Sequence, residues 1–103
     1  MSQKIKVLNF AVGKEAELIE IDNNYIELQN LVDGYIQVVP ISENLCIICN
    51  ELGKLENLPY QEKYRIHGNF IVAQTYKDML VSMNEGSIDK IIKEMQNLTS
   101  ILI

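Results

Sequence analysis

The chain has 103 residues, of which 48% are hydrophobic and 22% charged, values that belong to a soluble globular domain and exclude intrinsic disorder as its overall description. Surface scaling lets a chain of this mass bury roughly 65% of its unfolded surface, enough for one core and so for a single domain over residues 1–103. Fourteen acidic against nine basic side chains leave a net charge of −5, which argues against direct DNA binding, because that binding depends on Lys and Arg releasing counterions from the backbone.

The N-terminal Met1-Ser2-Gln3-Lys4-Ile5-Lys6 carries no apolar signal region, and the longest apolar runs fall far short of the ~20 residues of a membrane-spanning helix. A cytoplasmic protein with no membrane partner is expected. Ile5, Val7 and Asn9 alternate with Lys4, Lys6 and Leu8 in a short strand. Beyond a turn at Gly13-Lys14, the stretch from Ala16 to Ile21 alternates again, and the two form a β-hairpin. Asn24, followed three residues later by Glu27, has the form of an N-cap with its capping-box partner. Leu28, Leu31 and Val32 then share a helical face before Gly34, which suits the position just past a helix end, so a first helix is predicted over about 25–33.

Tyr35 to Val39 is β-branched and aromatic, and Pro40 either ends this strand or places it at a sheet edge. Leu45 to Asn50 is a second such run, and the turn Ser42-Glu43-Asn44 between them predicts antiparallel pairing. From Glu51 to Asn69 the pattern is irregular, with Gly53, Pro59, Gly68 and many polar residues; long connections in compact domains more often carry function than not. Phe70 to Gln74 and Met79 to Met83 form two strands joined through Tyr76-Lys77-Asp78. A last helix begins at Asn84 or Ser87 and carries Ile88, Ile91, Ile92, Met95, Leu98 and Leu102 at helical spacing. Without βαβ alternation, these elements predict an α+β fold: a mostly antiparallel sheet of about five to six strands with two helices, covered on one face, where the C-terminal helix packs. The apolar end Ser100-Ile101-Leu102-Ile103 adds hydrophobic surface that predicts a homo-oligomer.

Charge is unevenly spread. From Lys54 to Lys77 four cationic side chains face two carboxylates, whereas the remainder holds five basic against twelve acidic groups. Cys46 and Cys49 have the spacing of a zinc or redox pair, but residues three apart in a strand point to opposite faces, so small apolar packing in a reducing compartment is expected, with no metal and no cofactor. His67 is the single imidazole, an ordinary loop histidine or the one candidate for acid/base chemistry. Asn50-Glu51-Leu52-Gly53-Lys54 joins an amide, a carboxylate and an ammonium around a glycine directly after a strand; turn chemistry explains it, and so does convergence on a ligand. Tyr60-Gln61-Glu62-Lys63-Tyr64-Arg65-Ile66-His67 interleaves rings with cationic groups, the combination that stacks on a base and meets a phosphate. It also reads as a solvated loop with two tyrosines pinned to the core. The acidic run Glu15, Glu17, Glu20 and Asp22 is the solvent side of a hairpin, or a face that imitates the charge of a nucleic acid.

The block Leu31-Val32-Asp33-Gly34-Tyr35-Ile36-Gln37-Val38-Val39-Pro40-Ile41, followed by Asn50-Glu51-Leu52-Gly53-Lys54-Leu55 and by Leu58-Pro59, resembles an uncharacterised family, domain of unknown function 3846, over roughly residues 4–98. Where that family continues with Asn-Arg after the proline, this chain carries Tyr60-Gln61. Members are small proteins of phages, plasmids and bacteria, so the resemblance implies a phage or mobile-element origin, and small phage proteins of no evident enzyme class often antagonise host defence. The resulting expectation is a non-enzymatic protein of the host-cell cytoplasm that sequesters a nucleotide-derived signal through Asn50, Glu51, Lys54, Tyr60, Lys63, Tyr64, Arg65 and His67. In the alternative, the acidic hairpin occludes a host defence or nucleic-acid-binding protein by direct contact. An enzyme working through His67 and Glu51 is the third reading.

Overall fold

A computed structural model describes residues 3–102, with side chains described through residue 95. Strands β1 (Lys4–Phe10) and β2 (Glu17–Asp22) form the N-terminal hairpin, followed by helix α1 (Tyr25–Val32) and the antiparallel pair β3 (Ile36–Ser42) and β4 (Leu45–Asn50). A two-stranded ribbon, β5 (Tyr60–Gln61) and β6 (Ile66–His67), interrupts the long connection. The hairpin β7 (Phe70–Tyr76) and β8 (Met79–Val81), a single 3-10 turn at Glu85–Ser87 and helix α2 (Ile88–Leu102) complete the chain. The sheet runs β2-β1-β7-β4-β3, with β8 paired to β7 beyond the end of β1, and every pairing is antiparallel. The architecture is the α+β fold expected.

The sheet is covered on both faces, where the sequence predicted cover on one. Strand alternation sends Leu8, Phe10, Ile47, Cys49, Phe70 and Val72 toward α2, which meets them with Ile91 and Met95. Ile5, Val7, Cys46, Ile48, Ile71 and Ala73 go the opposite way, toward Leu28 and Val32 of α1. The central strands β7 and β4 are therefore buried on both sides, which is why they read as continuous apolar runs. Of the apolar positions expected on α2, Ile88 and Ile92 flank the core; the side chains of Leu98 and Leu102, and the apolar end Ser100 to Ile103, lie outside the described residues.

Local chemistry explains the boundaries. The Asn24 side chain accepts from the Glu27 N–H at 2.8 Å and caps α1, and Asn84 caps the 3-10 turn by accepting from the Gly86 N–H at 2.9 Å. Lys77 and Asp78 both adopt positive φ, at 51° and 64°, the two-residue turn whose twist matches a β-hairpin. The Lys6 ammonium donates to the Glu85 carboxylate, raising the lysine above its ordinary value and holding the glutamate below its own. With the Met83 N–H bonded to the Lys6 carbonyl at 2.9 Å, this exposed pair docks the approach to α2 against β1.

The end of α1 departs from expectation. The left-handed residue is Asp33, at φ 61°, one position before the glycine; aspartate tolerates that region better than most residues. Gly34 is needed for a different reason. A Cβ there would stand 2.8 Å from Nδ2 of Asn50, and that amide donates to the carbonyls of Val32 at 3.1 Å and Asp33 at 3.2 Å while its Oδ1 accepts from the Leu52 N–H at 2.7 Å. Asn50 thus ties the helix end, the end of β4 and the following turn together.

Removing a buried hydrogen-bonding group costs about 1–3 kcal/mol, and Asn50→Ala strands several partners at once, so a loss in that range is expected from urea unfolding, with unfolding still two-state. Asn50→Asp, which turns a donor into a carboxylate facing two carbonyl oxygens, should destabilise at least as much. A variant of either kind with an unchanged midpoint would contradict this role.

Candidate functional site

The segment after β4 is anchored by its inward residues. Gln61 Nε2 donates to the carbonyls of Phe10 and Gly68, each at 2.8 Å. The Tyr64 ring packs edge-on against Phe10 and Phe70 at centroid distances of 5.0 and 5.4 Å, and Ile66 is buried in the same cluster. Arg65, at φ 59° in the left-handed region, and His67 alternate with them and turn the other way. Gly53 brings the turn onto β6, since a Cβ there would lie 2.8 Å from the His67 carbonyl oxygen.

Between this segment and the β3–β4 pair lies a cleft of about 420 Å³, floored by Gln37, Val39 and Cys49 and rimmed by Glu51, Lys54, Arg65 and His67. Lys54, Arg65 and His67 also line its outer side together with Tyr60, around a shallower hollow of about 340 Å³. Tyr60 is half exposed, with its ring 4.7 Å from that of His67 at 44°. The His67 Nδ1 lies 3.1 Å from the Leu58 carbonyl oxygen. Because that oxygen can only accept, Nδ1 carries the hydrogen, and in the uncharged ring Nε2 remains as an acceptor for a ligand. Lys54, Arg65 and His67 are thus common to both hollows, with the Glu51 carboxylate on the cleft side and the half-exposed Tyr60 ring on the outer side.

Of the eight residues singled out in the sequence, the structure gathers Glu51, Lys54, Tyr60, Arg65 and His67. Asn50 borders the cleft, but both of its polar atoms are committed to the fold. Tyr64 is 8% exposed, and burial pushes its hydroxyl above the ordinary phenol range, so its ring serves the core. Lys63 stands on another side, its ammonium 5.9 Å from the Tyr64 ring centroid, beside a larger depression of about 670 Å³ between the first hairpin, the ribbon and α2. That depression mixes Lys14 and Lys63 with Glu15, Glu62 and Asp89, so it offers an anion no consistent field. Gln37 and Val39 were missed, because residues on a neighbouring strand leave no local signal of a shared wall.

The family model described as "Domain of unknown function (DUF3846)" matches residues 5–96. The chain belongs to this family. Neither the curated proteins nor the solved structures yield a match. The cleft of this DUF3846 protein is built from both motif blocks, β3 supplying its floor and the Asn50 to Lys54 turn its rim.

Cys46 and Cys49 are buried on opposite faces, one in each hydrophobic cluster, and burial pushes both thiols above the ordinary value of 9.0. Among the described residues no group of three or more His, Cys, Asp or Glu is placed to hold a metal. No helix among them is long and apolar enough to cross a membrane.

An acid whose folded value is raised contributes stability that is whole below its unfolded value and is lost as pH rises through the folded one. The urea midpoint should therefore fall as pH rises above the unfolded thiol value of about 8.5, less steeply in a Cys46→Ala/Cys49→Ala variant. At neutral pH both thiols should react with an aromatic disulfide only at the rate at which the chain opens; prompt reaction of the native protein would show one of them to be accessible. Gly53→Ala should lower the melting temperature, since the added methyl meets backbone that cannot rotate away.

Proposed function

We propose that this DUF3846 protein is a non-catalytic binding protein whose cleft takes a phosphate-bearing, nucleotide-derived ligand, and that it acts by withdrawing that ligand from solution. The observation that carries this reading is the convergence of Lys54, Arg65 and His67 on one cleft, with Tyr60 beside them, in a chain whose net charge is −5. Guanidinium and ammonium groups suit phosphate oxygens, the Glu51 carboxylate suits ribose hydroxyls or an exocyclic amine, and the exposed Tyr60 face suits stacking on a base. The thiol on the cleft floor, Cys49, is held in its protonated form by burial and so offers no activated nucleophile; turnover through His67 and Glu51 is left to the ligand-recovery test below. In a chain of phage or mobile-element origin, such sequestration would silence a host defence signal made of nucleotides.

The direct-inhibitor reading uses the acidic hairpin. There Glu15, Glu17 and Glu20 are exposed, but Asp22 is paired with Lys4 at 3.2 Å and Lys14 sits in the turn, so the acidic face is short and interrupted. The cleft is the better-formed feature.

A ligand at a hundredfold excess over its dissociation constant adds about 2.7 kcal/mol of stability, a rise of roughly 10–20 °C at about 4–8 °C per kcal/mol for a domain of this size. Screening cyclic and linear nucleotides and ADP-ribose derivatives should find one that raises the melt and is recovered intact after denaturation. Arg65→Ala and Lys54→Ala should each weaken that ligand by roughly ten- to hundredfold, the worth of a charged hydrogen bond, with the melting temperature of the free protein nearly unchanged. A panel without any stabilising nucleotide would overturn the binding reading, and recovery of a converted ligand would overturn the non-catalytic part.

A further inference from the structure

The ridge formed by Lys54, Arg65 and His67 has two sides. On one, the cleft of about 420 Å³ reaches down to Gln37, Val39 and Cys49 beside the Glu51 carboxylate. On the other, the hollow of about 340 Å³ is closed by Tyr60. Each side is equipped for a nucleoside in its own way. In the cleft, Val39 and Ile66 supply apolar surface. The exposed Gln37 amide, whose side chain has no hydrogen-bond partner among the described residues, brings both a donor and an acceptor to the edge of a base. In the outer hollow, the Tyr60 ring is 51% exposed and tilted by 44° from the His67 ring instead of being stacked on it, which leaves surface for a base to stack on. The ridge itself is cationic and held in place. Among the described residues neither Lys54 nor Arg65 forms an ion pair, the pairs being Lys4 with Asp22 and Lys6 with Glu85. Gly53 seats the turn on the His67 backbone, and the neighbours of Arg65, Tyr64 and Ile66, are buried.

Resting on the phosphate-binding reading above, we infer that the ligand is a dinucleoside joined through phosphate. Its bridge lies over Lys54, Arg65 and His67, one nucleoside occupies the cleft and the second base stacks on Tyr60. A mononucleotide leaves one of the two hollows empty, and two mononucleotides compete for the same ridge. A single bridge fills both hollows with one set of phosphate contacts, and its second nucleoside binds without a second association cost. Charge alone predicts the opposite preference. A dinucleoside carries one negative charge fewer than the mononucleotide with the same phosphates, because the second nucleoside esterifies the terminal phosphate. A site that reads only phosphate charge therefore favours the mononucleotide, whereas a site with a second stacking surface favours the dinucleoside.

Calorimetric titration of the native protein compares AMP with adenylyl-adenosine and ADP with diadenosine diphosphate, together with their guanine counterparts. Purines serve because stacking tolerates every base and their larger rings give the larger signal. In at least one pair the dinucleoside should bind roughly 5- to 150-fold more tightly than its mononucleotide, the worth of one stacked base, at one ligand per chain. Tyr60→Ala should abolish that preference and Tyr60→Phe should keep it, with far-ultraviolet dichroism native in both. Tyr60→Thr, which keeps a strand former at the position, replaces the alanine variant if that one fails to fold. Equal or weaker binding of every dinucleoside, in a protein that does bind a mononucleotide, would overturn the dinucleoside and leave the phosphate-binding cleft standing. A preference that survives in a folded Tyr60→Ala protein, or one ligand per two chains, would overturn the placement of the second base and the proposal with it. Silence from all of these probes would also overturn the dinucleoside, and the phosphate-binding reading falls too if the wider nucleotide panel is silent.

Discussion

The side-chain amide of Asn50 is the constraint on which the rest of the molecule turns. It closes three separate backbone accounts, the two carbonyls at the end of α1 and the N–H of Leu52, groups that would otherwise be left without partners as β4 ends. A buried amide can satisfy two acceptors and one donor at once, which neither Asp nor a hydroxyl can do in this arrangement. The positions of Gly34 and of the Asn50 to Lys54 turn then follow. Glycine is required where the amide passes within 2.8 Å of a would-be Cβ, and the turn leaves β4 in the direction that brings Lys54 over the cleft.

The fold was legible where periodicity is long and weakly so where it is short. The hairpins, α1 and α2 are carried by caps, turn residues and alternation that span at least a full element. The ribbon β5–β6 contains two residues on each strand, a single period of alternation and too short to repeat, and it exists because Gln61, Tyr64 and Ile66 reach back to β1 and β7. The two-sided core was hidden for a related reason. Leu8 and Phe10 on one face and Ile5 and Val7 on the other are all buried, because α2 covers the first pair and α1 the second, a pairing of helices with faces that the alternation of one strand does not announce.

The candidate site shows the same division. The run from Tyr60 to His67 contains both the anchors and the cleft-facing groups, and composition alone cannot separate them. Tyr64 and Ile66 go inward, while Arg65 and His67 face the cleft. The inward residues give the outward ones a fixed base, so the site does not have to order a free loop when a ligand arrives, a cost that would otherwise be charged against affinity.

Net charge and local charge then point to different ligands. The carboxylates of β2 sit at the far edge of the sheet, four strand spacings from β3, or about 19 Å at about 4.8 Å per strand. That is more than twice the screening length of about 8 Å at physiological ionic strength. A small phosphate compound in the cleft is governed by Lys54 and Arg65 and is hardly repelled by the hairpin. A long polyanion extending past the cleft meets the acidic remainder of the surface as well. The same distribution that argues against nucleic acid binding is thus compatible with the compact ligand proposed for the cleft, because screening separates the local field from the net charge.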